Sequence, residues 1–382
     1  MKEGNRSSPT LAEIIASSWT ELIGDSRYNS YQIRQLNAVK SCRTSVMGGE
    51  LYVCKSCGKH HKRYYSCRNR HCPTCQSTQA NQWMDRRLKE LLPVDYYHSV
   101  FTVPSKLNEW FMAYPRQMYK LLFAASWYTI ETLGWDHKYL GAQMGAIGVL
   151  HTWGQNLSLH PHIHYLVPGG GVDIRGKWRS IKSKGKYMFP VKVMMKVFRA
   201  RFVRLWTEWL VQEGMEVDPE TIVSIKTKPW VVYCKAPFGG SKGAMEYIGR
   251  YVFKTAISNH RIVCVREEEV IFKYKDYRHG GISKTMKLSK SEFIRRFSLH
   301  LLPKRMVRIR HYGILSGRNK RKFFDLPKPE PLKDYVTYWK EKGMDVLLCP
   351  QCKNGRLIFI EEIPKRGPPL SAIPKPKTQI HL

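Results

Sequence analysis

LHPHIHYLVPGGG, residues 159–171, holds three alternating histidines, His160, His162 and His164, and ends in a run of glycines. Alternate side chains of a strand share one face. His162 and His164 therefore stand side by side, while Ile163 between them turns toward a core. The glycines suit a turn at the strand end. Two imidazoles on one face can hold a divalent ion and leave positions open for a phosphate oxygen. A lone histidine would more often be structural.

Such a site needs a third ligand. In the preceding stretch, MGAIGVLHTWGQ (144–155), His151, Trp153 and Gln155 share a strand face. A hairpin through Asn156–Leu159 is expected to bring Gln155 beside His162. Its carboxamide oxygen is a hard donor suited to Mg²⁺ or Mn²⁺. His160 competes for that place, but its position next to the turn also suits it to orient substrate. Further out, HSVFTVP (98–104) and WVVY (230–233) read as strands, and residues 191–213 and 241–257 as helices. Interleaved helices, with neighbouring strands able to form hairpins, predict an α+β domain with a largely antiparallel sheet.

Within SKGAMEYIGRYVFKTAISN (241–259), Tyr247 and Tyr251 are four apart and fall on one stripe of a helix. Ile248 and Val252 form a neighbouring apolar stripe that can dock on the sheet. Arg250 and Lys254 follow the tyrosines at i+3, where a cation lowers a phenol pKa from about 10 and binds phosphate. A tyrosine pair at this spacing is usually core. Beside a histidine metal site it gains a chemical meaning, with Tyr251, Tyr247 and Lys254 as catalytic candidates.

Six of the ten cysteines lie between Cys42 and Cys75. Cys54-x-x-Cys57 and Cys72-x-x-Cys75 are two knuckles close in sequence, the spacing of a tetrahedral zinc site. A redox pair is the main alternative. Cys67 and His71 can replace a ligand or serve a second ion, and Cys42 reads as a small buried hydrophobe. The intervening loop has Lys62, Arg63, Arg68 and Arg70 with Tyr64 and Tyr65, a mixture suited to phosphate contacts and base stacking; a merely solvated charged loop explains it equally well. Cys349-x-x-Cys352 has no partner pair nearby and is not read as a metal site.

The chain has 64 Lys plus Arg against 30 Asp plus Glu, a formal net charge of +34. Nucleic acid is the commonest partner for such an excess. Residues 284–322 alone hold 13 basic residues, Arg308 and Arg310 among them, with Glu292 the one acid; with Arg68, Arg70 and Arg250 these are the DNA-binding candidates. At 43% hydrophobic residues a sizeable core is possible. No run of 18 apolar residues exists, so no membrane span is expected, and the N-terminus lacks the apolar core of a signal peptide. A cytoplasmic, reducing setting is expected, with cysteines left unbridged. Four consecutive segments follow: a helical one over 1–41, with Leu11, Ile14, Ile15 and Trp19 at helical spacing and Thr10 as cap; a zinc module over 42–92; a main domain over 93–322; and a partly disordered tail over 323–382, rich in Pro and Lys at its end.

CRNRHCPTCQ (67–76), LHPHIHYLVPGGG, WVVYCKAPFGG (230–240), EYIGRYVFKTAISN (246–259) and LSKSEFIRRFSLHLLPKRMVRIRHYG (288–313), in that order, resemble the rolling-circle transposases of insertion-sequence family 91, over about residues 42 to 316. The resemblance implies the HUH endonuclease class, an antiparallel sheet flanked by helices. It further implies metal binding by His162 and His164 and nucleophiles at Tyr251 and Tyr247. On that basis the expected activity is nicking and joining of single-stranded DNA at insertion-sequence ends through a 5′-phosphotyrosyl bond, with structural Zn²⁺ and catalytic Mg²⁺ or Mn²⁺. No helicase or phosphate-binding loop is apparent, so host replication and unwinding machinery are the expected partners, with no small-molecule substrate and no membrane. A replication initiator or relaxase shares the nuclease core. A non-catalytic zinc-containing DNA-binding regulator is the rival from another class, and it leaves both the histidine pair and the tyrosine pair without a role.

Overall fold

The computed structural model describes residues 9–183, 187–227, 230–235, Gly243, Gly249, Val252, 254–324 and 331–365. Thirteen strands occur among them, in chain order β1 (Gly49–Cys54), β2 (His60–Tyr64), β3 (Tyr96–Thr102), β4 (Gly145–Trp153), β5 (Leu159–Pro168), β6 (Gly170–Val172), β7 (Trp178–Ser180), β8 (Val231–Lys235), β9 (Ile262–Val265), β10 (Glu269–Asp276), β11 (Ile282–Ser289), β12 (Ile309–Gly313) and β13 (Leu357–Ile363). The described pairings between these strands are antiparallel, as an α+β fold requires. Among the described residues, no helix is long and apolar enough to cross a membrane.

The chain forms two compact units, one of residues 1–82, 255–301 and 331–382, the other of 83–254 and 302–330. This differs from four consecutive segments. Residues 255–301, expected in the main domain, belong to the unit of the cysteine module, and so does much of the expected tail. The expected disorder of the Pro- and Lys-rich end lies outside the described residues.

The second unit is built on a five-stranded sheet of order β12-β4-β5-β3-β8. Its alternation divides the side chains cleanly. Phe101 of β3, Leu150 of β4, and Ile163, Tyr165 and Val167 of β5 enter the main core with residues of the helices Pro115–Trp135 and Val191–Gln212. Tyr165 lies across Gly148 on β4, where a Cβ would come within 2.6 Å of its ring, and its hydroxyl meets Ser126 Oγ at 2.9 Å. The other face carries Ile147, Val149 and Leu166, buried in a second apolar cluster with Tyr96 and Val252. Val252 thus packs with residues of this face, while Ile248, expected on the same stripe, lies outside the described residues.

The first unit is assembled from distant stretches of chain. Thr10 caps the helix Leu11–Ser17 in a capping box with Glu13, and Leu11, Ile14 and Ile15 are fully buried. The Asn259 side chain accepts from Leu11 N at 3.1 Å and donates to Thr74 Oγ1 at 3.2 Å. β13 pairs with β1, which pairs with β2, so a strand within the expected tail completes the sheet of the cysteine module. A second sheet, β11-β10-β9, packs Phe272 edge-on against Phe293 of the helix Lys290–Ser298.

Candidate active site

β4 and β5 are joined by a tight turn in which Gly154 N donates to Ser158 O at 2.8 Å and Leu157 adopts a left-handed φ of 63°. The strands are in register with His151 opposite His162 and Val149 opposite His164, and a bulge lies between His151 and Trp153. The turn therefore begins at Gly154, earlier than the expected hairpin through Asn156–Leu159. Gln155 falls in the turn, and His151 takes the place beside His162 that Gln155 was expected to fill. His151, His162 and His164 offer ring nitrogens that all lie within 4.8 Å of one another. His160, at the strand end, is exposed and outside this group.

The rings are held in defined orientations. His162 Nδ1 donates to the His160 carbonyl at 2.6 Å, which leaves Nε2 as its ligand atom. His164 Nδ1 meets His98 Nε2 at 2.9 Å, the two rings stacked at 9°. Ligation through His164 Nε2 requires Nδ1–H to donate to His98. Burial pushes His162 down to about 3 and His98 down to about 4. Burial likewise holds His164 well below the ordinary value, and the neighbouring His162, His98, Lys254 and Arg308 add to the effect. At pH 7 His98, His162 and His164 are therefore neutral, the form that ligates a cation. Three gathered imidazoles, His151 and His164 buried and His162 half-buried, fit a divalent transition metal. His98 gave no signal in the sequence, because its partner lies 66 residues away. Since a residue that orients a ligand typically contributes 10–100-fold to metal affinity, His98→Ala is expected to weaken Mn²⁺ binding about tenfold or more by titration calorimetry; unchanged affinity would remove His98 from the site.

Two cations border the trio. Arg308 donates to the Lys254 carbonyl at 2.5 Å and to Leu150 O at 3.2 Å, and lies over the Trp153 ring at 5.1 Å. Lys254 is near enough for its charge to act on His162 and His164. Tyr247, Tyr251 and Arg250 lie outside the described residues. At the β12 edge an open cleft of about 620 Å³ is lined by Arg116, Lys120, Arg305 and Arg310, among others, with the Arg310 guanidinium 4.0 Å above Phe123. Within the basic stretch 284–322, whose residues divide between the two units at 301/302, Lys284, Lys287, Arg295, Arg296 and Lys320 are engaged by Asp276, Glu269, Glu292 and Glu90.

The cysteine module also departs from expectation. Cys54 and Cys57 are not brought to Cys72 and Cys75. Instead Cys42, Cys67, Cys72 and Cys75 gather, with Cys67 Sγ 3.7 Å from Cys75 Sγ. Cys42, expected to be a mere hydrophobe, supplies a thiol, and His71 remains outside the group. The close thiols of Cys42, Cys67 and Cys75 donate toward Cys72 and hold its pKa far below the usual thiol range. Four sulfurs at this separation are the donor set of a structural zinc site. Arg68, exposed and with a left-handed φ of 50°, and Arg70, whose Nε meets His71 Nε2 at 3.3 Å, flank the second knuckle.

A family model described as a putative transposase matches residues 145–322, and one described as a transposase zinc-binding domain matches residues 14–103. The first covers β4, β5 and Lys254; the second covers every cysteine from Cys42 to Cys75. The putative transposase y4qJ of Sinorhizobium fredii is 37% identical over 358 residues, which span 86% of this chain and 89% of that protein. The transposase for insertion sequence element IS801 of Pseudomonas savastanoi pv. phaseolicola is 24% identical over 323 residues, 78% of this chain and 74% of that one. Among solved structures, the conjugative relaxase TrwC in complex with oriT DNA aligns at 12% identity and a TM-score of 0.22 over 41% of this chain and 71% of that chain, an overlap too slight to argue from. With a transposase relative matched over 89% of its length and the family's zinc-binding module matched over its clustered cysteines, the chain belongs to the insertion-sequence 91 family of transposases.

Proposed function

We propose that this chain nicks and joins single-stranded DNA at the ends of an insertion sequence, with Tyr251 and Tyr247 as nucleophiles and His151, His162 and His164 as the ligands of one divalent ion. The observation that carries this reading is the placement of Val252 and Lys254. Val252 packs with Ile147, Val149 and Leu166, which share the histidine face of the sheet, and Lys254 acts electrostatically on His162 and His164. Tyr251 is the residue directly before Val252, and Tyr247 comes four earlier.

In the reaction proposed, a tyrosine oxygen attacks the scissile phosphorus in line. The new phenolic O–P bond replaces the P–O3′ bond, and the proton lost by the phenol ends on the released 3′-OH. The product is a 5′-phosphotyrosyl link, whose conserved ester energy lets a second 3′-OH reverse the step without ATP. The bound ion supplies positive charge that polarises the phosphate. Lys254 and Arg308 add fixed positive charge beside the attacked phosphate, and His151, His162 and His164 would hold the ion through their ring nitrogens. Two tyrosines let one hold the first cut end while the other acts on a second strand. Arg68 and Arg70, together with the cleft holding Arg310, are the proposed contacts to the DNA backbone, with Arg250 proposed on its sequence position alone. Host replication and unwinding machinery would then supply the unpaired strand.

The donor set bears on the metal. Imidazole nitrogens suit transition ions better than Mg²⁺, which prefers oxygen. Nicking of a single-stranded oligonucleotide is expected to reach half its maximal rate at about tenfold lower Mn²⁺ than Mg²⁺, in line with that donor preference. A lower requirement for Mg²⁺ would mean that oxygen ligands dominate. Absence of any nicking in either ion would leave a DNA-binding protein without this chemistry.

A further inference from the structure

Cys54 and Cys57 have partners, but at the far end of the chain. Cys54 Sγ lies 3.6 Å from Cys352 Sγ, and Cys57 Sγ lies 3.9 Å from Cys349 Sγ, across sequence separations of 298 and 292 residues. All four sulfurs are within 4.8 Å of one another. Disulfide sulfurs would stand about 2.05 Å apart. Four thiolates around one zinc at about 2.3 Å have edges of about 3.8 Å, the separation seen in both pairs.

The backbone around each knuckle repeats. Gly58 N donates to Cys54 O at 2.9 Å, and Lys353 N donates to Cys349 O at 2.9 Å. The residue after each second cysteine has a left-handed backbone, φ 68° at Gly58 and 57° at Lys353. Cys54 N donates to Lys59 O at 3.0 Å, and Cys349 N donates to Gly355 O at 2.8 Å. Around the sulfurs, Gly355 N donates to Cys352 Sγ at 3.3 Å, and His61 Nε2 approaches Cys349 Sγ at 3.4 Å. Donors aimed at sulfur favour thiolate. Gly355 sits so close that a Cβ there would come within 2.5 Å of Cys54 Sγ. Lys55 N donates to Arg356 O at 3.1 Å, continuing into the pairing of β1 with β13.

We propose that Cys54, Cys57, Cys349 and Cys352 bind a second zinc ion, separate from that of the Cys42–Cys67–Cys72–Cys75 cluster, and that this ion fastens the C-terminal strand to the N-terminal module. The strand alone makes a poor anchor, because β13 has no fully buried residue. Cys349 and Cys352 have no partner pair nearby in sequence; the fold supplies one.

Native mass spectrometry of the full-length reduced protein is expected to show at least two zinc ions per chain, and one fewer in Cys349→Ser/Cys352→Ser. In that variant, hydrogen exchange at 357–363 is expected to accelerate while 145–168 is unchanged. One zinc ion in the wild type, or the same number in the double variant as in the wild type, would overturn the proposal. A second measurement needs no variant. In the native protein Cys54, Cys57, Cys349 and Cys352 should resist iodoacetamide while Cys264, outside both clusters, is labelled, and all should react after denaturation in chelator. Native labelling of Cys349 and Cys352 as fast as Cys264, or failure to label after chelation until a reductant is added, would also overturn it.

Discussion

The double variant Tyr247→Phe/Tyr251→Phe is expected to form no covalent protein–DNA adduct on a single-stranded end substrate, while its DNA affinity stays close to that of the wild type. Phenylalanine keeps the ring and removes only the nucleophilic oxygen. If these tyrosines were core residues, each change would cost at most a hydrogen bond, about 0.5–1.5 kcal/mol, and activity would follow stability. As nucleophiles they separate the two: a thermal unfolding midpoint near that of the wild type, with cleavage lost. Of the single variants, Tyr251→Phe is expected to lose more first-strand cleavage, since Arg250 and Lys254 flank it in sequence, where a cation would stabilise a phenolate. Gel analysis of DNA cut in Mn²⁺ measures the adduct directly. An adduct that persists in the double variant moves the nucleophile elsewhere, and the DNA-binding role survives.

Changes at the histidines are expected to be equally severe and to discriminate between ligand sets. His151→Ala and His162→Ala should each lower cleavage by about 100-fold or more, because a metal at a phosphoryl oxygen contributes several kcal/mol and each 1.4 kcal/mol is a factor of ten. Gln155→Ala, a change in the turn beyond β4, should stay within about threefold, the scale of an ordinary substitution away from a site. Strand alternation alone gives the reverse emphasis, with Gln155 as third ligand. If Gln155→Ala proves the more damaging change, His151 is not a ligand and the turn must rearrange when metal binds. DNA binding should be nearly unaffected in all three, since basic side chains supply most of that affinity.

Features encoded by local periodicity were legible in the sequence. His162, Ile163 and His164 alternate as a strand requires, and the structure puts Ile163 at 0% exposure in the core. Thr10 and Glu13 make the capping box that their spacing allows. Gln155 leaves the strand face because of the turn: strand alternation continues past Trp153 only on paper, since the bulge and the five residues from Gly154 to Ser158 end it. The error at the cysteines has a different cause. Cys54-x-x-Cys57 and Cys72-x-x-Cys75 look like partners because they are close in sequence, yet each knuckle gathers with other cysteines. Ligand spacing constrains each pair and says nothing of which pair it meets across a folded chain. Cys42 and His98 were unreadable for the same reason, since each acquires its role from residues that pairing or packing brings in from a distance.

The pairing of β1 with β13 has a consequence for synthesis. Gly49 faces Ile363, so the central strand of its sheet lacks one neighbour until the ribosome has translated some 300 residues more. At about 5–20 residues per second, the nascent chain carries that open edge and two unmatched thiols for roughly 15–60 seconds. The sheet of residues 145–168 has all of its strands by Gly313, and so can close while the N-terminal module still waits. A product cut short before residue 357 would keep its histidines yet leave the β1 edge uncovered, exposed to aggregation and proteolysis.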